Sequence, residues 1–322
     1  MSTGTAQTVM DVGGEPLARL LERTERRMVE LARGYGAVLA PHAVEMIAAG
    51  GKRLRPMLVF LAAGAPPPES ENLVRGAVAV ELVHGATLVH DDVLDSSPLR
   101  RGRPTVFAAG GRGVAVATGD LLFSRAFAEL AAGGSVDAVR VLSRATGELA
   151  QGELMQRADA FNGAVSVERY LERCRLKTAV LFRAACELGG LAADGPVGEL
   201  GRFGEAIGLA FQLLDDVLDV TGPPERTGKP RGADLLDGTL TLPMILARLR
   251  DPTLAALDLR EVRSAGDAAD VCERIVLSGA LAEARSRALD LVSAAKESLP
   301  ALPERQRGAL ELVADGVVDR YA

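Results

Sequence analysis

The sequence predicts an all-α protein, and three observations carry that prediction. Ala, Leu, Glu and Arg, all strong helix formers, fill long stretches of the 322 residues. Apolar residues in those stretches recur at spacings of three and four, the period of a helix face, while strand-like alternation is scarce. Glycine and proline are gathered into short clusters that punctuate the chain. Taken in order, residues 1–14 read as a flexible N-terminal tail. Breaks then fall at AGAPPPES (63–70), AGGRG (109–113), AGGS (132–135), GGLAADGP (189–196), TGPPERTGKPRG (221–232) and ESLPALPE (297–304). Each segment between breaks is long enough for a helix of several turns. No break is long or polar enough to be a linker, and no repeat of fixed period is visible. Residues 15–322 are therefore expected to form a single all-α domain, although length alone suggests about two.

Composition removes several classes of function. With 37 Lys and Arg against 43 Asp and Glu, the net charge of −6 provides no general basic face for nucleic acid. Aromatics make up 3% of residues and Trp is absent, which argues against base stacking. Three cysteines, Cys174, Cys186 and Cys272, are too few and too scattered for a disulfide framework or a thiolate metal site. No uninterrupted run of 18 apolar residues exists, so no transmembrane segment is expected. The N-terminus lacks the basic start and apolar stretch of a signal peptide, which points to the cytoplasm.

One pentapeptide recurs: DDVLD at Asp91–Asp95 and again at Asp215–Asp219. A D-D-x-x-D pattern would arise by chance roughly 0.07 times in such a chain at an Asp frequency of about 6%. On a helix, Asp91 and Asp95 lie over one another, with Asp92 about 100° round, and the same holds for Asp215, Asp219 and Asp216. Three anions in one turn repel, and the arrangement makes sense if hard divalent cations neutralise it; carboxylate oxygens suit Mg2+ shared with substrate phosphates. A solvated acidic face is the plainer reading, and Val93, Leu94, Val217 and Leu218 weigh against it by embedding the acids in apolar segments. Glu81, His84, Leu88, Asp91 and Asp95 follow spacings of three and four and share one face, so the polar members need water, metal or a polar ligand. His90 lies off that face and reads as a hydrogen-bonded core histidine. Around the second motif, Phe211 and Gln212 join the aspartates.

Cations accompany the acids. Lys52, Arg53 and Arg55 lie in GGKRLRP, after Gly50 and Gly51; Arg100, Arg101 and Arg103 lie in RRGRPT; Lys177 and Thr178 lie in RLKTAVLF; Lys229 and Arg231 lie in a Gly/Pro-rich loop. Each patch alone is more often a solvated surface. Together they describe a cavity for two diphosphates, with Arg as a bidentate fork and Lys as a mobile point charge.

At this point the residues resemble a family, the trans-isoprenyl diphosphate synthases (polyprenyl synthetases). The matching pieces, in order, are GGKRLRP, ELVHGATLVHDDVLDSSPLRRGRPT, GDLLFSRAF, ELAQGE, KTAVLF, FQLLDDVLD and GKPRGADL, spread over nearly the whole length. The resemblance implies the all-α isoprenoid-synthase fold: a single helical bundle around a deep central cavity, with the two aspartate motifs facing each other at its mouth, assembled as a homodimer. It implies three Mg2+ ions bridging the aspartates to an allylic diphosphate, ionisation of the C–O bond, attack by the double bond of isopentenyl diphosphate, and proton loss to the departing diphosphate. Carried over by motif, Asp91, Asp95 and Asp215 hold metal, with Asp216, Asp219 and Asp92 as direct or outer helpers. Lys52, Arg55, His84 and Arg101 resemble the isopentenyl diphosphate site; Arg100, Lys177 and Lys229 resemble contacts to the allylic diphosphate. Thr178 and Gln212 present oxygen dipoles to the cation.

One departure stands out: where the family often has G-K-x-T, this chain reads GTLTLP, with Thr239 at the Lys position. One contact to the allylic diphosphate is then either absent or supplied by another cation such as Arg231. In the family, the residues four and five places before the first motif set the cavity floor; here they are Thr87 and Ala86. Without an aromatic ring there, the resemblance implies an open tunnel and a medium- or long-chain product, with Phe123 and Phe127 as candidates for a deeper floor. Ala86→Phe is expected to shorten the product. Geranylgeranyl diphosphate is the nearer alternative. A class I terpene cyclase and a non-catalytic synthase subunit are the rival readings, both disfavoured by the two intact motifs.

Overall fold

The computed structural model describes residues 3–48, 53–100, 102–222 and 231–319. Gly50, Gly51, Lys52, Arg101 and Lys229 lie outside the described residues. As expected, the chain is helical almost throughout. Helix α1 spans Thr3–Arg33, α2 Gly36–Ala48, α3 Leu54–Ala63 and α4 Glu71–Leu94. Two-residue strands follow, β1 Leu99–Arg100 and β2 Arg103–Pro104, paired antiparallel with Leu99 opposite Pro104. Then come α5 Val106–Ala132, α6 Val136–Asp159, α7 Val167–Cys174, a π turn Arg175–Ala179, α8 Val180–Ala192 and α9 Val197–Thr221. The rest is α10 Ala233–Leu236, α11 Leu242–Arg248, α12 Pro252–Ala256, a 3-10 turn Leu259–Glu261, α13 Ala265–Leu277, α14 Ala280–Glu297 and α15 Glu304–Asp319. Contacts divide the chain into two compact units: Met1–Thr146, Leu181–Gly204 and Leu299–Val313 make the first, and Gly147–Val180, Glu205–Ser298 and Ala314–Ala322 the second.

The N-terminus differs from the expected tail. Helix α1 begins at Thr3 and continues to Arg33, with a non-helical Gly14 (φ 67°) ahead of Pro16. Val9, Leu17, Leu20, Thr24, Met28 and Ala32 are buried at spacings compatible with one helix face, and the Val12 carbonyl accepts a hydrogen bond from Arg305 Nε at 3.0 Å. The apolar spacing that orders this segment runs from Val9 onward, through the stretch that its small and polar residues had suggested was loose. At AGGRG the break is a kink rather than an end, since α5 runs through it with Gly111 at φ 75°.

In the first unit α4 is the central helix. It packs against α1, α3 and α5, and Val78, Val80, Leu82, Val83 and Ala86 are at most 1% exposed. Helix α5 approaches α4 closely where Gly119 faces His90: a Cβ at Gly119 would lie 2.2 Å from the His90 Nε2. The His90 Nε2 donates to the Val116 carbonyl at 3.3 Å, lies 3.4 Å from Asp120 and has its ring tilted against Phe123 at 5.7 Å, so His90 is hydrogen-bonded as expected but half-exposed rather than in the core. Helices α4 and α5 are both long and apolar enough to cross a bilayer by length and composition. The sequence criterion of an uninterrupted run missed them because each apolar stretch tolerates a few polar residues. The apolar stretch of α4 is 72% buried within the protein, and that of α5 only 28%.

In the second unit the core is built from Tyr170, Leu213, Leu214, Leu240, Met244 and Ile275, with α11 packed on α12, α13 and α14. A buried ionic group ties α6 and α7 to the segment before α11. Arg169 Nε meets Asp159 at 2.6 Å, Arg173 lies 3.6 Å from the same carboxylate, and Arg173 Nη2 donates to the Leu240 carbonyl at 2.5 Å.

Candidate active site

The first aspartate motif occupies the last turn of α4. Most of this helix is buried, but His84, Thr87, Leu88 and Asp91 form a half-exposed stripe at spacings of three and four that ends at the exposed Asp95. Asp95 caps the helix, its N–H donating to the Asp91 carbonyl at 2.8 Å. Carboxylates at a helix C-terminus face the negative end of the macrodipole, so this turn stores unfavourable charge that a cation relieves. Asp92 turns inward, 3% exposed, and is met by Arg100 through Nε at 2.9 Å and Nη2 at 2.8 Å.

The second motif repeats this arrangement in the last turns of α9, with Gln212, Asp215 and Asp219 on the half-buried stripe and Asp216 turned inward at 3% exposure. Asp219 Oδ2 accepts the Asp234 N–H at 3.3 Å. Asp216 accepts from the Tyr170 hydroxyl at 2.7 Å and from Gln212 Nε2 at 2.8 Å, and Gln212 Oε1 accepts from the Thr178 hydroxyl at 2.7 Å. Burial, joined by the Asp234 charge, pushes the Asp216 carboxyl up to about 8, against the hydrogen bonds that favour its ionised form. Lys177 and Thr178 sit on the π turn, a local widening that helices often carry at functional positions. Gly152 on α6 makes room for it, since a Cβ there would lie 2.6 Å from the Lys177 nitrogen. Glu153, the next residue, accepts from Lys177 Nζ at 2.5 Å and from Arg157 at 2.9 Å. Burial pushes the Glu153 carboxyl up, but those two cations prevail and hold it below the usual range.

Among the described residues no three acidic, histidine or cysteine side chains gather into a ready-made metal cage. Each motif instead offers a carboxylate pair one helical turn apart. That donor set fits Mg2+, which commonly takes one or two carboxylates and completes its shell with water and substrate phosphate.

A family model described as polyprenyl synthetase matches residues 37–275. The chain belongs to this family. It is 40% identical over 270 residues to the heptaprenyl diphosphate synthase component 2 of Geobacillus stearothermophilus, covering 83% of this chain and 82% of that one. The decaprenyl diphosphate synthase structure from Rhodobacter capsulatus superposes with a TM-score of 0.88 at 34% identity, covering 98% of this chain and 99% of the other. A polyprenyl synthase from Caulobacter crescentus CB15, solved with calcium and isoprenyl diphosphate, gives a TM-score of 0.88 at 36% identity over 98% of both chains. The present polyprenyl synthetase is thus an all-α prenyltransferase with the isoprenoid-synthase fold.

Several sequence expectations change on this frame. Glu81, placed on the ligand-seeking face, is 8% exposed and already paired with Arg53 Nη1 at 2.7 Å. Arg53 also grips Glu25 and the Ile47 carbonyl, which makes it an anchor between α1, α2 and α4. Arg231, the proposed substitute for the Lys missing at Thr239, is bonded to Glu273 and to the Val220 carbonyl. Asp216, grouped with the metal ligands, accepts one internal hydrogen bond on each oxygen. Ala86 is 0% exposed and faces the core, so it is Thr87 that shares a stripe with Asp91. Arg55 keeps a distinctive position: its guanidinium lies 4.6 Å over the Phe182 ring, its Nε is buried without a hydrogen-bond partner, and burial lowers it to about 10 against the pull of Glu81. Two residues escaped sequence reasoning altogether, Tyr170 and Glu153. Glu153 lay within a recognised motif; Tyr170 carried no signal, because a lone aromatic in a helical segment reads as core.

Proposed function

We propose that this prenyltransferase is a trans-polyprenyl diphosphate synthase. It would join isopentenyl diphosphate head-to-tail to an allylic diphosphate, with Mg2+ as cofactor and a medium- or long-chain product. The observation that carries this reading is the doubled DDVLD turn, each copy at a helix C-terminus with an acid pair on the accessible stripe of an otherwise buried helix. Asp91 and Asp95 in one copy, Asp215 and Asp219 in the other, are assigned as metal-holding residues. When bound, Mg2+ would neutralise charge building on the leaving diphosphate.

The remaining roles belong to side chains of this chain. Arg100 and Lys177, with Lys229, hold the allylic diphosphate; Arg55 and His84, with Lys52 and Arg101, hold isopentenyl diphosphate. Arg55 suits this because a desolvated guanidinium with an unmatched N–H gains more from a phosphate oxygen than a solvated one. Thr178 spends its proton on Gln212 and Gln212 spends an amide proton on Asp216, so both keep oxygen lone pairs for an allylic cation. The isopentenyl double bond attacks that cation, and the proton then lost goes to the departing diphosphate. The relatives described above carry heptaprenyl and decaprenyl names, which supports a longer chain. A homodimer is proposed too, supported by the exposed apolar face of α5, and the cytoplasm is the proposed location.

The decisive experiment incubates purified protein with labelled isopentenyl diphosphate, a panel of allylic primers, and Mg2+ or chelator. Mg2+-dependent growth of a linear chain, with at least a hundredfold loss in Asp91→Ala and in Asp215→Ala, is expected. A cyclised hydrocarbon, or variants as active as the parent, would defeat the reading.

A further inference from the structure

We propose that Tyr170 is a positioning residue for prenyl transfer: from its buried place on α7 it fixes Asp216, and through Asp216 the directions of the Gln212 amide and the Thr178 hydroxyl. The proposal rests on the synthase reading above. It concerns a residue that touches no substrate.

The geometry is a one-way chain of hydrogen bonds within the second unit. The Tyr170 hydroxyl donates to Asp216 Oδ2 at 2.7 Å, Gln212 Nε2 donates to Asp216 Oδ1 at 2.8 Å, and the Thr178 hydroxyl donates to Gln212 Oε1 at 2.7 Å. Tyr170 is 0% exposed and Asp216 3%, so water does not compete for the bond between them, while Gln212 and Thr178 are half-buried. Burial raises the Tyr170 phenol well above its ordinary range, so its hydroxyl remains a donor. Tyr170 donates to one oxygen of Asp216 and Gln212 to the other, so both oxygens act as acceptors in this arrangement. Gln212 must then present its N–H to Asp216 and its oxygen to Thr178. That oxygen in turn draws the Thr178 proton, which leaves the Thr178 oxygen with its lone pairs outward. A developing cation is stabilised by these negative dipole ends and opposed by N–H or O–H protons. A flipped amide has the same shape and the opposite sign. Tyr170 therefore acts on the direction of these dipoles by holding in place the Asp216 carboxyl that the Gln212 amide faces.

The test compares wild type with Tyr170→Phe, Gln212→Ala and the double variant. Each is assayed for kcat, for KM with both diphosphates, for the Mg2+ concentration at half activation, and for melting temperature. Expected in Tyr170→Phe is a fall in kcat of about tenfold, with both KM values within about twofold, an unmoved Mg2+ midpoint, and a double variant no slower than Gln212→Ala alone. A Tyr170→Phe kcat within about twofold of wild type, losses that multiply in the double variant, or a shifted Mg2+ midpoint would each overturn the proposal. Should Tyr170→Phe fail to fold, Asp216→Asn takes its place, because an Asn facing two donors must break one of the same bonds. A slowed kcat at constant Mg2+ midpoint supports the chain, and a midpoint displaced as in Asp215→Asn shows Asp216 to be a metal ligand and ends the proposal. A wild-type protein that elongates no primer removes the synthase reading and this proposal with it, an outcome distinct from a fast Tyr170→Phe beside an active parent.

Discussion

Thr87 and Ala86 are neighbours in sequence, yet a ring introduced at each would do different things. Helical geometry turns successive residues by about 100°. Thr87 falls on the half-exposed stripe with His84 and Asp91, while Ala86 is sealed in the core at 0% exposure. Thr87→Phe is expected to shorten the product, as read by chromatography of the dephosphorylated prenols. Ala86→Phe instead overpacks the core and should lower stability by about 1–3 kcal/mol, read by denaturant unfolding. A Thr87→Phe enzyme with unchanged product length would show that this stripe does not limit the chain. The same residue-by-residue logic separates Asp215 from Asp216, adjacent acids of which one lies on the accessible stripe and the other is claimed by Tyr170 and Gln212.

Elements are held by local devices that differ in strength. The start of α13 carries a capping box: Ser264 accepts from the Asp267 N–H, and Asp267 accepts from the Ser264 N–H at 2.9 Å. Asp251 caps α12 and Asp258 caps the 3-10 turn in the same manner. All three carboxyls are held below the ordinary range, Asp251 chiefly by Arg274, Asp258 by the Arg260 N–H and Asp267 by the Arg263 N–H. A depressed folded-state value means that the stabilisation is complete above the unfolded value of about 3.9 and fades as pH falls through the lower folded values. Hydrogen-exchange protection, corrected for intrinsic rates, should therefore fall in residues 251–267 on acidification below about pH 4, before it falls in α4. Simultaneous loss in both would contradict local control by these caps. A different device acts at Arg173, 3% exposed, which bridges Asp159 and the Leu240 carbonyl. Arg173→Met should cost about 3 kcal/mol, since it leaves the buried Asp159 carboxylate with Arg169 alone to balance it in this group. Urea unfolding at constant m-value would measure it; a loss below about 1 kcal/mol would mean that the group relaxes.

For the molecule as a whole, the contrast between α4 and α5 is informative. Both are apolar over a span long enough for a bilayer, but most of the α4 stretch is buried within the protein and most of the α5 stretch is not. Val116 is 38% exposed, with Ala117, Ser124 and Ala128 also on the exposed side. The homodimer proposed above would cover this face, in which Asp120 is also exposed. Sedimentation velocity should show a dimer that Val116→Glu combined with Ala128→Glu converts to monomer, while Leu154→Glu, at an exposed leucine on α6, leaves it dimeric. A wild-type monomer at micromolar concentration would refute the assignment.

Fold class and reaction family were legible in the order of residues alone. Helix period, glycine and proline breaks and a repeated acidic pentapeptide are local patterns, and local patterns survive in one dimension. The aspartate stripes were legible for the same reason, because a helix places residues three and four apart side by side wherever it packs. What tertiary structure alone decided is which polar groups are already engaged. Glu81 belongs to Arg53, 28 residues away, Lys177 to Glu153, 24 away, and Asp216 to Tyr170, 46 away. Such pairings depend on how helices pack, a relation between distant segments that neither period nor composition encodes, and so the sequence named the charges while the packing chose their partners.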